Sequence, residues 1–214
     1  MDEKKIKLVL AATGGSGSGY FLRLLYHLVS ISGETHWMAS DNFFIVMNSE
    51  YGMDFSDIPY GNCTDEIIAK ISEIFPKNDK NMQHQFYRHD YRDISAAPAS
   101  GSVHYDGMII LPCSMKTLGA IANGISSNLI ERSADVSLKE KRRLLLVPRE
   151  TPYNLIHIEN MRILALSGAI VMPASPGFYH RPKTINDLFD FIIDRIFYHM
   201  GIEKRIIPQW NNKT

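Results

Sequence analysis

The sequence predicts a three-layer α/β domain in which a mainly parallel sheet is covered by helices on both faces. Short apolar runs alternate along the chain with longer runs in which apolar residues recur every three or four positions. This alternation is typical of repeated strand–helix–strand units, because parallel neighbours need a crossover between them. The length of 214 residues fits a single domain, 1–214, with a full hydrophobic core.

The elements are predicted in order from the apolar pattern. Strands are expected over residues 7–12, 35–39, 108–111, 144–147 and 169–172, and helices over residues 18–29, 42–51, 65–75, 115–123, 129–139, 155–167 and 185–199. The last helix has the clearest period, with Thr184 as its expected N-cap and Gly201 as its expected stop. Residues 76–92 are polar and are expected to form a surface excursion.

The C-terminal tail, residues 203–214, contains Pro208-Gln209-Trp210. A segment this short cannot bury a tryptophan by itself, although a tryptophan contributes a large apolar surface when it is buried. We therefore expect Trp210 to dock on its own domain or on another subunit, and we favour a neighbouring subunit.

Charge and composition argue against several classes of function. Lys plus Arg (23) equals Asp plus Glu (23), which gives no electrostatic case for nucleic acid or an anionic membrane as a partner. No apolar run approaches the roughly 18 residues of a membrane span, and the N-terminus lacks the apolar core of a signal peptide. Cys63 and Cys113 lie in unlike contexts, so neither a disulfide nor a metal site is predicted. We expect a reduced, cytoplasmic compartment.

A glycine-rich turn, Thr13-Gly14-Gly15-Ser16-Gly17-Ser18-Gly19, joins the first strand to the first helix. A strand, a tight turn and a helix start form a cradle for phosphate, because free backbone N–H groups and the helix dipole point at one spot. The dinucleotide and P-loop patterns both fail, since the glycine offsets do not fit and Tyr20 follows where a lysine is needed. The turn therefore predicts a small phosphorylated ligand, and a turn without a ligand is the alternative.

Residues able to bind a ligand also follow the other predicted strands. In open α/β sheets, ligands lie beyond the carboxyl ends of the strands. These positions carry Ser40-Asp41, Pro112-Cys113-Ser114-Met115-Lys116-Thr117, Pro148-Arg149-Glu150-Thr151-Pro152 and the segment 173–182. The sequence thus predicts one ligand site along this edge of the sheet.

Together these segments resemble the UbiX-type flavin prenyltransferases. Further segments extend the resemblance in family order, namely Ala99-Ser100-Gly101-Ser102, Asn128-Leu129-Ile130-Glu131-Arg132, Ala134-Asp135-Val136, Leu138-Lys139-Glu140, Gly177-Phe178-Tyr179-His180-Arg181-Pro182 and Pro208-Gln209-Trp210. The Pro-Arg-Glu-Thr-Pro and Gly-Phe-Tyr-His segments are the most specific of the set.

The resemblance implies a Rossmann or flavodoxin-like domain that binds FMN. It implies metal-free transfer of a dimethylallyl group from dimethylallyl phosphate to nitrogen-5 and carbon-6 of reduced FMN. The prenylated FMN would serve a UbiD-type decarboxylase, in ubiquinone synthesis or in aromatic-acid breakdown. The chain would form a homo-oligomer, a dodecamer, with its site between subunits. The residues do not distinguish the monophosphate donor from the diphosphate.

The resemblance also assigns residues to the flavin and to the donor. FMN would be bound by Gly14, Gly15, Ser16, Ser40, Ser114, Met115, Lys116, Thr117 and Arg149. The donor phosphate would be bound by Arg132, Lys139, Tyr179 and Arg195, since cations lower the barrier to its departure. From spacing alone, Ser40 and Ser114 could equally be helix N-caps. Ordinary surface charge is the favoured interpretation of Arg132 and Lys139 on the helix predicted over residues 129–139.

Catalysis would need proton movement and shielding of a developing allylic cation. By resemblance, the catalytic residues would be Ser16, Glu50, Lys139, Glu150 and Trp210. Burial beside a flavin would raise the pKa of a glutamate, whereas a nearby arginine or lysine would lower it, and the sequence leaves that balance open. Without the resemblance, the favoured interpretation of Glu50 is an exposed carboxylate at a helix end.

The resemblance also leads to a prediction for each of three further residues. Gly15 stands where many relatives have alanine, which a glycine turn should tolerate. Ile94 stands where some relatives have tryptophan, so the aromatic cage around the cation could be incomplete. His180 is expected to orient its loop.

Two other functions compete with prenyl transfer. One is an FMN-dependent cysteine decarboxylase of the same fold, and the other is a non-catalytic FMN carrier. The decarboxylases carry an asparagine in the segment that here reads Pro112-Cys113-Ser114-Met115-Lys116-Thr117, and no asparagine is present. A carrier would need no second phosphate site.

Overall fold

The computed structural model describes residues 5–76 and 83–208. In these residues the strands form one seven-stranded sheet. The strands are β1 (Ile6–Ala12), β2 (Gly33–Ala39), β3 (Gly61–Asn62), β4 (His84–Arg88), β5 (Gly107–Cys113), β6 (Arg143–Pro148) and β7 (Ile170–Val171).

The α-helices of the described ranges cover both faces of this sheet. They are α1 (Ser18–Leu28), α2 (Asp41–Tyr51), α3 (Thr64–Ile74), α4 (Met115–Ala122), α5 (Leu129–Lys139), α6 (Leu155–Leu166) and α7 (Ile185–Met200). Across residues 5–76 and 83–208, no helix has the length and apolar character that a membrane crossing requires.

The strand order across the sheet is β3-β4-β2-β1-β5-β6-β7. Every neighbouring pair is parallel except β3 and β4, which are antiparallel. The chain builds outward from β1 on one side and from β5 on the other, so the order reverses between these two strands. A crevice for ligands forms at such a reversal, beyond the carboxyl ends of the strands.

Side chains of the sheet alternate between two cores, as the two-residue period of a strand requires. On β1, Leu8 and Leu10 face the core with α1, α2, α3 and α7, while Val9 and Ala11 face the core with α4, α5 and α6. The three-layer α/β architecture predicted from the sequence is therefore confirmed. The two cysteines are free and buried, one in each core.

The predicted strands and helices are all present, with ends that agree to within two residues. The start of α7 is capped as expected. Thr184 Oγ1 accepts from the N–H of Asp187 at 3.2 Å, and Asp187 Oδ2 accepts from the N–H of Thr184 at 2.9 Å. Gly201 ends the helix with φ of 72°, a left-handed conformation that favours glycine.

One prediction about the fold is wrong. Residues 76–92, expected to be a surface excursion, contain β4, and the two-residue β3 pairs with it. The polar composition suggested a surface segment, but His84 and Arg88 are both buried. The Arg88 guanidinium lies over the Trp37 ring. Phe86 is buried between them, so burial recurs at every second residue, as in a strand.

A partly buried ion cluster fixes α7 against α1. Asp190 accepts from Arg23 Nε at 2.7 Å and from Arg23 Nη2 at 2.8 Å, and it lies 2.7 Å from His27 Nε2. Burial acts to raise the pKa of Asp190, but the hydrogen bonds from Arg23 and His27 lower it to about 2. The carboxylate is therefore ionised at neutral pH and joins the two helices.

The first part of the C-terminal tail lies against its own chain. Lys204 Nζ donates to the carbonyl of His27 at 2.8 Å, and the N–H of Ile206 donates to Asp194 Oδ1 at 2.8 Å. The expectation that Trp210 docks on a neighbouring subunit concerns a residue outside the described ranges, and it stays a prediction.

Candidate functional site

A cavity of about 430 Å³ opens at the carboxyl ends of β1, β2 and β5. This volume lies within the roughly 300–1,000 Å³ that is usual for small-ligand sites. Its walls come from the loops that follow these strands and from the first turns of the helices beyond them. Among the predicted flavin residues, those that line it are Gly14, Ser40, Ser114, Lys116 and Thr117.

Two helices begin at this cavity, α2 after Ser40 and α4 after Ser114. Ser114 is an N-cap, because its Oγ accepts from the N–H of Thr117 at 3.4 Å. The Ser40 hydroxyl caps nothing, and its oxygen is buried without a hydrogen-bond partner among the described residues. A buried hydroxyl without a partner is costly, so Ser40 is available to a ligand in the cavity.

The chemistry of this cavity fits an anion. The first turn of a helix carries N–H groups without an intrahelical partner, and its dipole favours negative charge. Two helix starts, one orphaned hydroxyl and the Lys116 side chain therefore form a donor set suited to a phosphate group. These residues fit the phosphate of FMN.

The donors of the glycine turn are taken by a side chain of the same chain. Glu50, near the end of α2, accepts through Oε1 from Ser16 Oγ at 2.6 Å and from the N–H of Gly17 at 2.9 Å. Its Oε2 accepts from the N–H of Ser18 at 2.8 Å and from Ser18 Oγ at 2.6 Å. The start of α1 thus holds a carboxylate, and the donor set suited to a phosphate is found at the starts of α2 and α4.

The hydrogen bonds to Glu50 decide its protonation. Burial acts to raise the pKa of Glu50, but the hydroxyls of Ser16 and Ser18, with the backbone N–H groups beside them, outweigh burial and lower the pKa below its ordinary value. Glu50 is therefore ionised at neutral pH and is an acceptor of protons in that state. The balance that the sequence left open is set by hydrogen bonds rather than by a neighbouring arginine or lysine.

Strand β6 brings Arg149 to the same turn. Its Nε donates to the carbonyl oxygen of Ser16 at 2.9 Å, so Ser16, Glu50 and Arg149 form one connected group. Glu150 follows in the chain, and its carboxylate accepts the N–H of Thr151 at 3.1 Å within its own loop.

The residues expected at the donor phosphate do not meet within one chain. Arg132 pairs with Asp135 at 2.8 Å and Lys139 with Glu140 at 2.6 Å, both on α5. Arg195 lies on α7 with its guanidinium over the Tyr198 ring. Since α5 and α7 belong to cores on opposite faces of the sheet, one chain alone does not bring these charges together.

The loop that carries Tyr179 is fixed by its neighbour. His180 Nε2 lies 3.1 Å from the carbonyl oxygen of Asp187, and the His180 ring stacks on Phe191 with centroids 5.7 Å apart. The Tyr179 ring meets the same phenylalanine edge-on at 5.6 Å. These contacts fit the expectation that His180 orients the loop.

Two of the expected flavin residues have other contacts. The Met115 side chain packs in the core between the sheet and α4, so the backbone of this residue is the part available to a ligand. Lys116 Nζ lies 2.7 Å from Glu131 Oε1, a carboxylate that is 1% exposed. Lys116 therefore reaches the cavity with its charge already partnered.

Two residues of the cavity wall, Asn42 and Tyr91, were not found from the sequence. They line the cavity together with Asp41 and Asn128, which lie in segments that the sequence pointed to. Asp41 Oδ2 accepts from Tyr91 Oη at 3.0 Å and also pairs with Arg92, which joins the loop after β4 to the start of α2. Asn42 follows Ser40-Asp41 at the end of β2 and could have been found by the same signal. Tyr91 follows β4, the strand that the sequence did not reveal.

Comparison with known proteins identifies the family. The family described as Flavoprotein matches residues 1–197. The flavin prenyltransferase UbiX of Pseudomonas aeruginosa is 41% identical over 207 residues, which cover 97% of this chain and 95% of that protein. The chain belongs to the UbiX-type flavin prenyltransferase family.

Solved structures of the family agree with the fold. The dodecameric FMN-dependent UbiX-like decarboxylase from Escherichia coli O157:H7 superposes with a TM-score of 0.81 at 33% identity, covering 97% of this chain and all (100%) of that one. The complex of AnUbiX with FMN and dimethylallyl pyrophosphate gives a TM-score of 0.77 at 33% identity with the same coverage. The cysteine decarboxylase TvaF shares the fold alone, with 14% identity and a TM-score of 0.55.

We predict that the two adjacent glycines of the turn differ in their tolerance of alanine. A Cβ on Gly14 would lie 2.7 Å from Asn42 Cβ, so the start of α2 would have to move, whereas a Cβ on Gly15 would meet Pro112 Cβ at an ordinary 3.5 Å. Gly14→Ala should lower the free energy of unfolding by about 1–3 kcal/mol, and Gly15→Ala by less than about 1 kcal/mol. Urea denaturation of both variants checks this, and equal losses would contradict it.

Proposed function

We propose that the protein is a flavin prenyltransferase, which transfers a dimethylallyl group from dimethylallyl phosphate to nitrogen-5 and carbon-6 of reduced FMN. The observation that carries the proposal is a phosphate pocket next to a proton-handling group. The orphaned Ser40 hydroxyl marks the pocket, and Ser16, Glu50 and Arg149 meet at the adjoining turn. The family membership supports the same activity.

In this proposal, the flavin phosphate is bound at the starts of α2 and α4. Ser40 donates its free hydroxyl, Thr117 and Lys116 line the same wall, and Gly14 lets the chain approach closely because a side chain there would strike α2. Reduced FMN, when bound, supplies the nucleophilic nitrogen and carbon. Arg149 and the backbone of Gly15, Ser16, Ser114 and Met115 would complete the flavin site.

The chain offers a route for protons beside this pocket. Ser16 Oγ donates to Glu50 Oε1 at 2.6 Å, and Glu50 is ionised. A proton that reaches Ser16 Oγ can therefore pass onward to Glu50 as the serine hydroxyl gives up its own. Glu150, next to Arg149 in the loop after β6, is the second proposed acid–base group.

The donor phosphate would be bound between subunits. Arg132 and Lys139 lie on one face of the molecule and Tyr179 and Arg195 on the other side of the sheet, so a second copy can bring the two pairs together. The relative from Escherichia coli is described as dodecameric. We propose a homo-oligomer, a dodecamer as in that relative, with Trp210 of the tail close to the transferred group.

Helix α6 supports an oligomer from a separate observation. Leu155, Ile156 and Leu166 are exposed by 71%, 69% and 76%, and Leu164 is the buried residue of the helix. A helix that is apolar on most of its circumference is usually covered in the assembled protein. A second copy of the chain is the partner that this face fits.

The two alternative functions are less well supported. The cysteine decarboxylases are similar in fold alone, and they leave Lys139 and Arg195 without a task. A flavin carrier would not need the Ser16–Glu50 pair.

The product of the proposed prenyl transfer would pass to a UbiD-type decarboxylase, in ubiquinone synthesis or aromatic-acid breakdown. A cytoplasmic location remains our expectation.

We predict that the purified protein, incubated without oxygen with reduced FMN and dimethylallyl phosphate, yields a flavin heavier by one five-carbon unit. Mass spectrometry of the released flavin makes the measurement. The diphosphate donor is tested in parallel, because the AnUbiX complex contains dimethylallyl pyrophosphate. Unmodified FMN with both donors would exclude the proposal and favour flavin carriage.

We predict that Arg195→Ala weakens binding of the donor by about 10- to 100-fold, the usual value of a lost charged hydrogen bond, and changes the Kd for FMN by less than about twofold. Arg205→Ala is the matched control, because its guanidinium also lies over the Tyr198 ring, at 5.5 Å. The KM for dimethylallyl phosphate and the FMN fluorescence titration give the two values. Equal losses for donor and flavin would contradict a distinct donor site.

We predict that a charge on the open face of α6 breaks the assembly. Leu166→Glu places a carboxylate where the side chain is 76% exposed in the single chain, so the chain still folds but cannot bury this face. Light scattering after size exclusion should report a smaller particle than the wild type. Glu73→Lys, on the exposed side of α3, is the control. An unchanged particle mass for Leu166→Glu would show that α6 is not an interface.

A further inference from the structure

The carboxylate of Glu50 has two oxygens with different surroundings. Oε1 accepts from Ser16 Oγ at 2.6 Å, on the side of the proposed proton route. Oε2 accepts from Ser18 Oγ at 2.6 Å and from the N–H of Ser18 at 2.8 Å. The N–H of Gly17 contacts both oxygens, at 2.9 Å and 3.2 Å. Among the residues that the structure describes, Ser18 is therefore the one that donates to Oε2 twice.

The position of Ser18 in the helix favours its contact with Glu50. It is the first residue of α1 and is fully buried, with 0% of its surface exposed. A serine inside a helix can donate to the carbonyl four residues before it, but at the first helical position the helix offers no such carbonyl. The hydroxyl thus turns to α2, where Glu50 is its acceptor.

We propose that Ser18 is a positioning residue for Glu50, which holds Oε2 so that Oε1 stays directed at Ser16. The expected effect of Ser18 on the rate rests on the proposed prenyl transfer, whereas its expected effect on the Glu50 carboxylate does not depend on that function. With Ser18 in place the carboxylate cannot turn out of its plane without breaking two short hydrogen bonds. One of its oxygens is therefore kept in contact with the Ser16 hydroxyl.

The charged and titratable groups around Glu50 are few. On α2 itself, Tyr51 is the neighbour, and its pKa is raised by burial and by the charge of Glu50. On α1, Tyr20 has its pKa raised by burial, against a lowering by Arg149. From the loop after β6, Arg149 reaches the turn through the carbonyl of Ser16. From α7, Phe189 packs on Tyr20 and brings no charge.

These surroundings of Glu50 determine the sign of a pH effect. Burial acts to raise the pKa of Glu50, and the hydroxyl bonds from Ser16 and Ser18 lower it most among the hydrogen bonds. If the Ser18 hydroxyl is removed, burial remains and one opposing bond is lost, so the pKa of Glu50 must rise. The proton-accepting form is then lost at a higher pH than in the wild type.

The test is Ser18→Ala, read in the pH profile of single-turnover prenyl transfer. We expect the acid limb to move up by about 0.5–1 pH unit, so that on this limb the rate falls roughly three- to tenfold below the wild type. On the alkaline side of the limb the rate should change less than about twofold, and the Kd for FMN likewise. Ser137→Ala, which removes another buried serine hydroxyl, on α5, is the matched control.

A second readout separates this inference from the prenyl transfer itself. Infrared difference spectra across a pH titration report the Glu50 carboxylate directly, with Glu50→Gln to identify its band. A higher midpoint in Ser18→Ala supports the inference even if the wild type proves to make no prenylated flavin. An unmoved midpoint and an unmoved acid limb would overturn it, as would a rate lowered equally at every pH.

Discussion

The contact between Glu50 and the glycine turn is the constraint on which the site depends. Helix α2 begins at the cavity, after Ser40, and carries Glu50 near its other end, so one helix lies against both the cavity and α1. The carboxylate takes the N–H groups that open α1 and sets the direction of the Ser16 hydroxyl. Arg149 then completes the group through the Ser16 carbonyl.

Much of this arrangement could be predicted from the sequence, because apolar periodicity and the residues after each strand are local signals. The strands and helices, the capped start of α7 and the serines at the pocket were found in this way. β3 and β4 were not found. β3 has two residues, and in β4 His84 and Arg88 look like surface residues and are buried only by partners distant in the chain. For the same reason the sequence could not show that Glu50 occupies the start of α1, since 34 residues separate it from Ser16.

In the proposed mechanism, the distribution of charge leaves a single chain without a complete site for the donor phosphate. Arg132 and Lys139 lie on α5 and Arg195 on α7, in layers that the sheet separates. Cations held apart in this way do not repel one another within the chain, and each finds a local partner, such as Asp135 for Arg132. In the proposed oligomer, these cations would come together around the donor phosphate only when the subunits assemble. The apolar face of α6 provides a surface on which two copies of the chain can meet.

The carboxylate of Glu50 also affects how much stability the fold loses when a flavin is released. Many flavoproteins keep one cofactor for life and can use its phosphate as a permanent part of their structure. A prenyltransferase must give up its flavin at every turnover, because the flavin is the product. In the proposed cycle, the hydrogen bonds that Ser16, Gly17 and Ser18 donate to Glu50 do not involve the flavin, so the glycine turn keeps these partners when the flavin departs. The flavin is thus not needed to hold the glycine turn in place, and the site keeps this part of its structure until the next flavin binds.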